Sequence, residues 1–327
     1  MFKRFLLVPL LLALILAGTS CKGGETKQKK QLRKVRVVLD WTPNTNHAGL
    51  YVAKELGYFA REGLEVEIIQ PGENTAEKIV ASNHADFGVS YQESVTIACT
   101  QNIPIKSIAA IIQHNTSGFA SLKKSGIKSV KDFEGKSYGS SGWPSELEIV
   151  RDVMAHGGAD YRKLKVVSGV YDFFSTIGKD VDFEWIYYGW DGVQAERRNI
   201  AIDYLPIRDL SPVFDYYTPV LISSDMLLNS EPDLAKSFLK AVADGYEYCI
   251  AKPDDAARIL AKAVPDLDEE HLKLSLNYLK DEFRSDAPKW GQQKTEVWQR
   301  FADWMHQKRI IHTGVNVTDL YTNEFLP

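Results

Sequence analysis

The chain has 327 residues, 44% apolar and 25% charged, an ordinary globular composition with enough length for two hydrophobic cores. Its formal charge is −4 and no basic stripe runs through it, which argues against a nucleic-acid-binding surface. Three cysteines, an odd number, give no disulfide framework, and no His/Cys set has metal spacing.

Residues 1–20 read as a secretory signal peptide: Lys3 and Arg4, an apolar core from Phe5 to Ala17, then small residues. That core is too short to persist as a membrane span. Losing Lys3 and Arg4 would take the charge from −4 to −6. Ala17-Gly18-Thr19-Ser20-Cys21 resembles a bacterial lipobox, with Gly18 where Leu is usual, so Cys21 is the expected lipidation site. Residues 21–34, rich in Lys and containing Gly, then read as a lipid-anchored flexible tether. Cys99 and Cys249 fall in helical, partly apolar contexts and read as buried free thiols.

Val35 to Leu39 predicts a buried strand, which Pro43 forces to end in a loop. Asn44, Thr45 and Asn46 are caps for a helix whose apolar positions include Leu50, Ala53 and Leu56. Leu64 to Ile68 alternates as a strand, Asn74 caps a helix through Ser82, and Ala85-Asp86-Phe87-Gly88-Val89 is a short strand. A helix opens near Glu93, and Ile103 to Ile112 is another strand. This β-α-β-α-β-α-β order predicts a mostly parallel sheet with helices on both faces. A second unit in the same style starts at Phe119, and Val181-Asp182-Phe183-Glu184-Trp185 repeats the short Asp-Phe strand. From Glu231 on the pattern is helical: 231–250, 254–263, 268–283 and 292–308, with Trp298, Phe301 and Met305 as a core stripe. The expected fold class is α/β with two lobes joined by a hinge and a cleft between them. Residues 35–118 and 222–327 would form one lobe and 119–221 the other, with crossovers near 118–122 and 216–221.

Loops after these strands carry many aromatic residues: Trp41, Tyr51 and Tyr91 in the first unit, Trp143, Tyr187, Tyr188 and Trp190 in the second. Facing rings can sandwich a flat heterocycle, and stacking of a base on an aromatic ring is worth roughly 1–3 kcal/mol. The polar partners at hand include Asn44, His47, Ser90, Glu93, Glu146, Glu184 and Asp191, and a carboxylate can accept from an exocyclic amine. Ser141-Gly142-Trp143-Pro144 at a helix start also offers backbone N–H groups to an anion or carbonyl. No nucleophile motif, phosphate loop or metal set accompanies these residues, so neither catalysis nor a cofactor is expected.

Asp40-Trp41-Thr42-Pro43-Asn44-Thr45-Asn46-His47, Leu56-Gly57-Tyr58-Phe59, Asp86-Phe87-Gly88-Val89, Trp185-Ile186-Tyr187-Tyr188-Gly189-Trp190 and Asp319 to Pro327 resemble one family. It is the thiamine-pyrimidine-precursor family, which spans binding proteins of bacterial ABC transporters and fungal precursor synthases. The resemblance runs from about Val35 to the last residue. It implies a periplasmic-binding-protein type II fold with a pyrimidine in the interlobe cleft. Trp41, Asn44, His47 and Tyr51 would line it from one lobe, and Trp185, Tyr188, Trp190 and Asp191 from the other. Ser90, Glu93 and Trp143 complete the set of expected ligand contacts.

The synthases carry a Lys and a His where this chain has Ser90 and Ser94, and a cysteine cluster where it has Asp215-Tyr216-Tyr217-Thr218-Pro219. The resemblance therefore implies a monomeric receptor, anchored by lipid on the extracytoplasmic face of a bacterial cell membrane, rather than an enzyme. It would capture N-formyl-4-amino-5-aminomethyl-2-methylpyrimidine, or a close thiamine precursor, for an ABC permease and its ATPase. A nitrate-, sulfonate- or taurine-type ligand is the alternative among binding proteins.

Overall fold

The computed structural model describes residues 31–327, so the signal segment, Cys21 and most of the tether lie outside the described residues. Residues 32–327 form one compact unit. In chain order, β1 (Arg33–Val38) leads through a capped turn to α1 (Ala48–Glu55) and α2 (Tyr58–Arg61), then β2 (Leu64–Ile69) and α3 (Ala76–Ala81). β3 (Phe87–Ser90), α4 (Gln92–Thr100) and β4 (Ile105–Ala110) complete this run. The second run is β5 (Ser117–Leu122), β6 (Ser137–Ser140), α5 (Glu146–His156), β7 (Lys165–Ser168), α6 (Phe173–Thr176), β8 (Phe183–Tyr187), α7 (Val193–Arg197), β9 (Ile202–Pro206) and α8 (Ile207–Leu210). β10 (Val220–Ser224) and α9 (Asp225–Ser230) precede four longer helices: α10 (Pro232–Ala251), α11 (Pro253–Ala263), α12 (Glu269–Leu279) and α13 (Thr295–Gln307).

The strands form two five-stranded sheets with one topology, β2-β1-β3-β10-β4 and β7-β6-β8-β5-β9. In each, four strands run the same way and the fourth in order, β10 or β5, runs against both neighbours. The expectation of mostly parallel sheets thus holds for all but one strand per sheet. That strand is the one the chain makes on entering from the other sheet, so its direction is set by the crossover and not by a right-handed βαβ turn. β5 begins at Ser117 and β10 at Val220, each two residues ahead of the expected lobe boundary at 119 or 222. Ser117 already pairs with Tyr187, and Val220 with Ser90.

The likeness of the two Asp-Phe strands extends to their hydrogen bonds. Arg36 N–H donates to Asp86 Oδ2 at 2.7 Å, and Ser137 N–H to Asp182 Oδ2 at 2.8 Å. In return Asp86 N–H donates to Arg36 O, and Asp182 N–H to Ser137 O, both at 2.9 Å. Each aspartate therefore closes the last rung between equivalent strands, β1–β3 and β6–β8.

Each sheet has its own core. Val37, Phe87 and Phe238 belong to the first, with the two phenylalanine rings stacked, and Phe119, Phe133, Tyr138 and Phe183 to the second. α13 serves both sides, contrary to its expected place in the first lobe alone. Trp298 and Ala302 pack with Val38 and Ile222, whereas Phe301, Trp304 and Met305 pack with Phe119 and Tyr138. Trp304 Nε1 also donates to Asp152 of α5 at 3.1 Å. The apolar stripe read at 298, 301 and 305 is a core stripe, split between two cores. Cys249 is buried as expected, but Cys99 is only half-buried.

Candidate functional site

A cavity of about 700 Å³ lies where the two sheets face each other. Its walls come from residues just past the ends of β1, β3, β6, β7 and β8, and from Thr116 and Thr218 just before the reversed strands β5 and β10. All seven positions lie at the carboxyl ends of the parallel strands, where open α/β sheets bind ligands.

Asp40 is the polar pivot of the first wall. Its Oδ1 accepts from His47 Nε2 at 2.6 Å and its Oδ2 from the Tyr91 hydroxyl at 2.5 Å. Asn44 N–H donates to His47 Nδ1 at 3.1 Å, which leaves Nε2–H as the ring's donor to Asp40. Burial pushes the Asp40 carboxyl up, but the imidazole beside it and the two hydrogen bonds outweigh this and leave it below its ordinary value. Burial, then Asp40, raises the Tyr91 phenol well above its own, which keeps it a donor. The neighbouring Trp41 ring stands 60% exposed at the cavity.

The second wall is aromatic and acidic. Trp143 and Trp185 meet nearly perpendicular, 4.8 Å apart, and Trp185 is braced edge-on against Phe119 of the core. After β8 the chain makes one π-helical turn, Tyr188–Gly192, which brings Trp190 and Asp191 to the cavity together. Two glycines permit that turn. A Cβ on Gly189 would lie 2.8 Å from Leu279, and one on Gly192 2.5 Å from the Tyr188 ring. Glu184 accepts from Thr176 Oγ1 at 2.5 Å, and burial pushes its carboxyl up to about 7. Burial, with Asp172 adding to it, pushes Asp191 up to about 6.

Of the expected contacts, Trp41, Asn44, Trp143, Trp185, Trp190 and Asp191 line this cavity, and His47, Tyr51, Ser90, Glu93 and Tyr188 do not. His47 is fully buried one layer behind, orienting Asp40. Tyr51 packs on the first core. The Ser90 hydroxyl donates to Glu77 in an adjoining cavity of about 380 Å³ that shares Asp40, Trp41 and Tyr91. Glu93 is buried against the second lobe, where it accepts from Ser145 N–H at 3.2 Å. Tyr188 packs against Tyr204 and Tyr278 and donates to Glu196, because the π-helical turn begins there and turns its ring away. Tyr187, the last residue of β8, faces the cavity instead.

Two of the N–H groups of the 141–144 loop are not free for an anion. The Glu146 carboxylate takes those of Ser141 and Gly142, at 3.3 and 2.8 Å, together with the Tyr138 hydroxyl at 2.6 Å. Tyr171, 76% exposed, and Phe174 were not among the expected residues, although Tyr171-Asp172-Phe173-Phe174 follows a strand as the other aromatic loops do. His271 and Leu279 reach the cavity from α12, and no local pattern marks them. The lining holds five carboxyl groups (Asp40, Glu146, Asp172, Glu184, Asp191) against one guanidinium, that of Arg198, which lies over the Phe174 ring. It favours a flat, hydrogen-bond-donating ligand over a free anion. Among the described residues no helix is long and apolar enough to cross a membrane.

Residues 44–256, more than half of the chain, match the family described as NMT1/THI5 like. A formylaminopyrimidine-binding protein from Halalkalibacterium halodurans is 27% identical over 98% of this chain and 99% of its own length. A 4-amino-5-hydroxymethyl-2-methylpyrimidine phosphate synthase from Legionella pneumophila is 26% identical over 90% of this chain and 92% of its own. Among solved structures, the alkanesulfonate-binding protein of Xanthomonas axonopodis superposes with a TM-score of 0.67 at 14% identity, covering 88% of this chain and 98% of that one. This last likeness shows the fold, that of the periplasmic binding proteins. Over the span from Asn44 to Ala256, which takes in every strand of both sheets except β1 and the residues that build the cavity wall from Asn44 to Pro219, the chain is a member of the NMT1/THI5-like family.

Proposed function

We propose that this chain is the substrate-binding component of an ABC importer and that it captures a formylated aminopyrimidine precursor of thiamine. The observation that carries the reading is the cavity, with indole rings presented from both lobes and carboxyls at its edge. Similarity along nearly the whole chain to a formylaminopyrimidine-binding protein supports it. The pyrimidine stacks on Trp41, and its amino edge is read by Glu184 or Asp191. A sulfonate or nitrate would meet five carboxyl groups and one guanidinium, the wrong balance for an anion.

Synthase chemistry is disfavoured because Ser90 is a hydroxyl bonded to Glu77 where those enzymes carry a lysine. Cys21 would carry a lipid that holds the receptor on the outer side of the cell membrane, next to its permease. In that case a Cys21→Ser variant is released from the membrane fraction.

Calorimetry against the formylated pyrimidine, its 4-oxo analogue, riboflavin, taurine and nitrate tests the reading. Riboflavin belongs in the panel because about 700 Å³ holds more than a single ring. The formylated aminopyrimidine should bind and the 4-oxo analogue bind more weakly. Binding of taurine or nitrate in preference to either pyrimidine would overturn the proposal.

A further inference from the structure

Glu93 was expected at the ligand, and its actual place is more informative. It stands in the first turn of α4, in the first lobe, and is 6% exposed. Its carboxylate accepts from the backbone N–H of Ser145, the residue that precedes α5 in the second lobe, at 3.2 Å. Ser145 is fully buried, and its hydroxyl has no partner. This is a direct hydrogen bond between lobes, made by two buried residues.

The groups that face Glu93 are Glu146 from α5, Tyr187 at the end of β8, and Tyr216 in the crossover before β10. None is a cation. Glu146 is itself committed to Tyr138 and the 141–142 amides, so it adds negative potential and no proton. An ionised Glu93 held here has one N–H donor and no countercharge, whereas after the lobes separate it is hydrated. A neutral carboxylic acid costs far less to bury and still accepts the Ser145 N–H through its carbonyl oxygen.

We propose that Glu93 is a protonation-dependent clasp between the lobes, holding them together when its carboxyl is neutral and releasing them when it ionises. Burial pushes the Glu93 carboxyl up to about 7, with hydrogen bonding from the Ser145 backbone pulling it down and Glu146 pushing it further up. In the open, hydrated state the carboxyl returns toward its ordinary value of 4.5. The closed state therefore binds more protons than the open one between those two values. Its advantage is complete below the lower value and is lost as the pH rises through 7. The ratio of closed to open protein falls by up to about 100-fold between pH 5 and pH 8.

The test needs no ligand and does not depend on which ligand the cavity takes. Hydrogen exchange at the Ser145 amide, corrected for the intrinsic pH dependence of exchange, reports breakage of the clasp directly. In the wild-type chain its protection should fall between pH 5 and pH 8. In Glu93→Gln, which keeps an acceptor and cannot ionise, it should stay constant. A second measurement uses the unaltered protein: carboxyl NMR of Glu93 should titrate near 7. Protection that is the same at both pH values in wild type, an equal loss in Glu93→Gln, or a Glu93 midpoint near 4.5 would each overturn the clasp.

Discussion

Trp41 lines the cavity and is 60% exposed, while Asp40, its neighbour, is locked by His47 and Tyr91. An exposed ring on a fixed backbone is poised to stack without paying for its own ordering. Trp41→Ala is expected to weaken pyrimidine binding by about 1–3 kcal/mol, roughly 5- to 150-fold in Kd, with stability nearly unchanged. Trp190→Ala should behave differently, because that ring also packs edge-on against His271 at 4.4 Å and against the first core. It should lose thermal stability as well as affinity. Fluorescence titration paired with a melting curve separates the two, and a destabilised Trp41→Ala would contradict the assignment. Glu184 sits near neutrality, so its pH effect has a defined sign. Its folded-state value, about 7, lies above the ordinary 4.5, so it favours folding below 4.5 and this contribution fades as pH rises through 7. Relative to wild type, Glu184→Gln should gain melting temperature at pH 8 compared with pH 5. A difference that does not change with pH would count against a buried, neutral Glu184.

At the scale of elements, the site loop is supported from behind by the crossing of α1 and α10. Tyr246 of α10 donates to Asn46 O at 2.6 Å, which ties the loop to the helix. The crossing is close because both partners are glycines there. A Cβ on Gly245 would fall 2.1 Å from Gly49 O, and one on Gly49 would fall 2.4 Å from the Tyr246 ring. Gly245→Ala must push the helices apart, at a cost of about 1–3 kcal/mol or more, and should weaken ligand binding as the loop loses Tyr246. Gly314→Ala, with nothing within 4 Å of the added carbon, is the control. Denaturant midpoints for the two variants check this, and equal midpoints would mean that the crossing is looser than it looks.

The loop itself was legible in the sequence, since a strand, a proline and a row of caps are all local signals. The inward turn of Tyr187 rather than Tyr188 was not, because it depends on a single π-helical turn that hydrophobic periodicity does not register. Tyr171 lay in plain view but outside any motif. His271 was out of reach, because nothing near it says that α12 returns to the cavity. For α13 the periodicity identified the apolar face but could not say that two cores would share it.

For the whole molecule, α13 adds a third tie to the two crossovers. With Trp298 in one core and Trp304 in the other, the lobes rotate only as far as that helix can bend or slide. Ligand-induced closure should therefore be a small movement, visible in solution scattering as a slight compaction. Trp304→Ala loosens the helix from the second lobe alone. It should cost about 3–5 kcal/mol of stability and widen the difference between ligand-free and bound scattering. An unchanged difference would mean that the helix moves with one lobe and restrains nothing.

The two reversed strands have a consequence for the order in which the chain can become a protein. β5 follows the first run of strands but completes the second sheet, and β10 follows the second run but completes the first. β10 lies between β3 and β4, so until residue 224 has been synthesised the first sheet lacks an inner strand and not merely an edge. Neither half of the chain is thus a self-sufficient folding unit. Each lends the other a strand, as two copies of one ancestral half would if they exchanged a segment on pairing. The nascent chain stays unfinished through more than two hundred residues of synthesis, and its long-range strand pairing must wait until they have emerged.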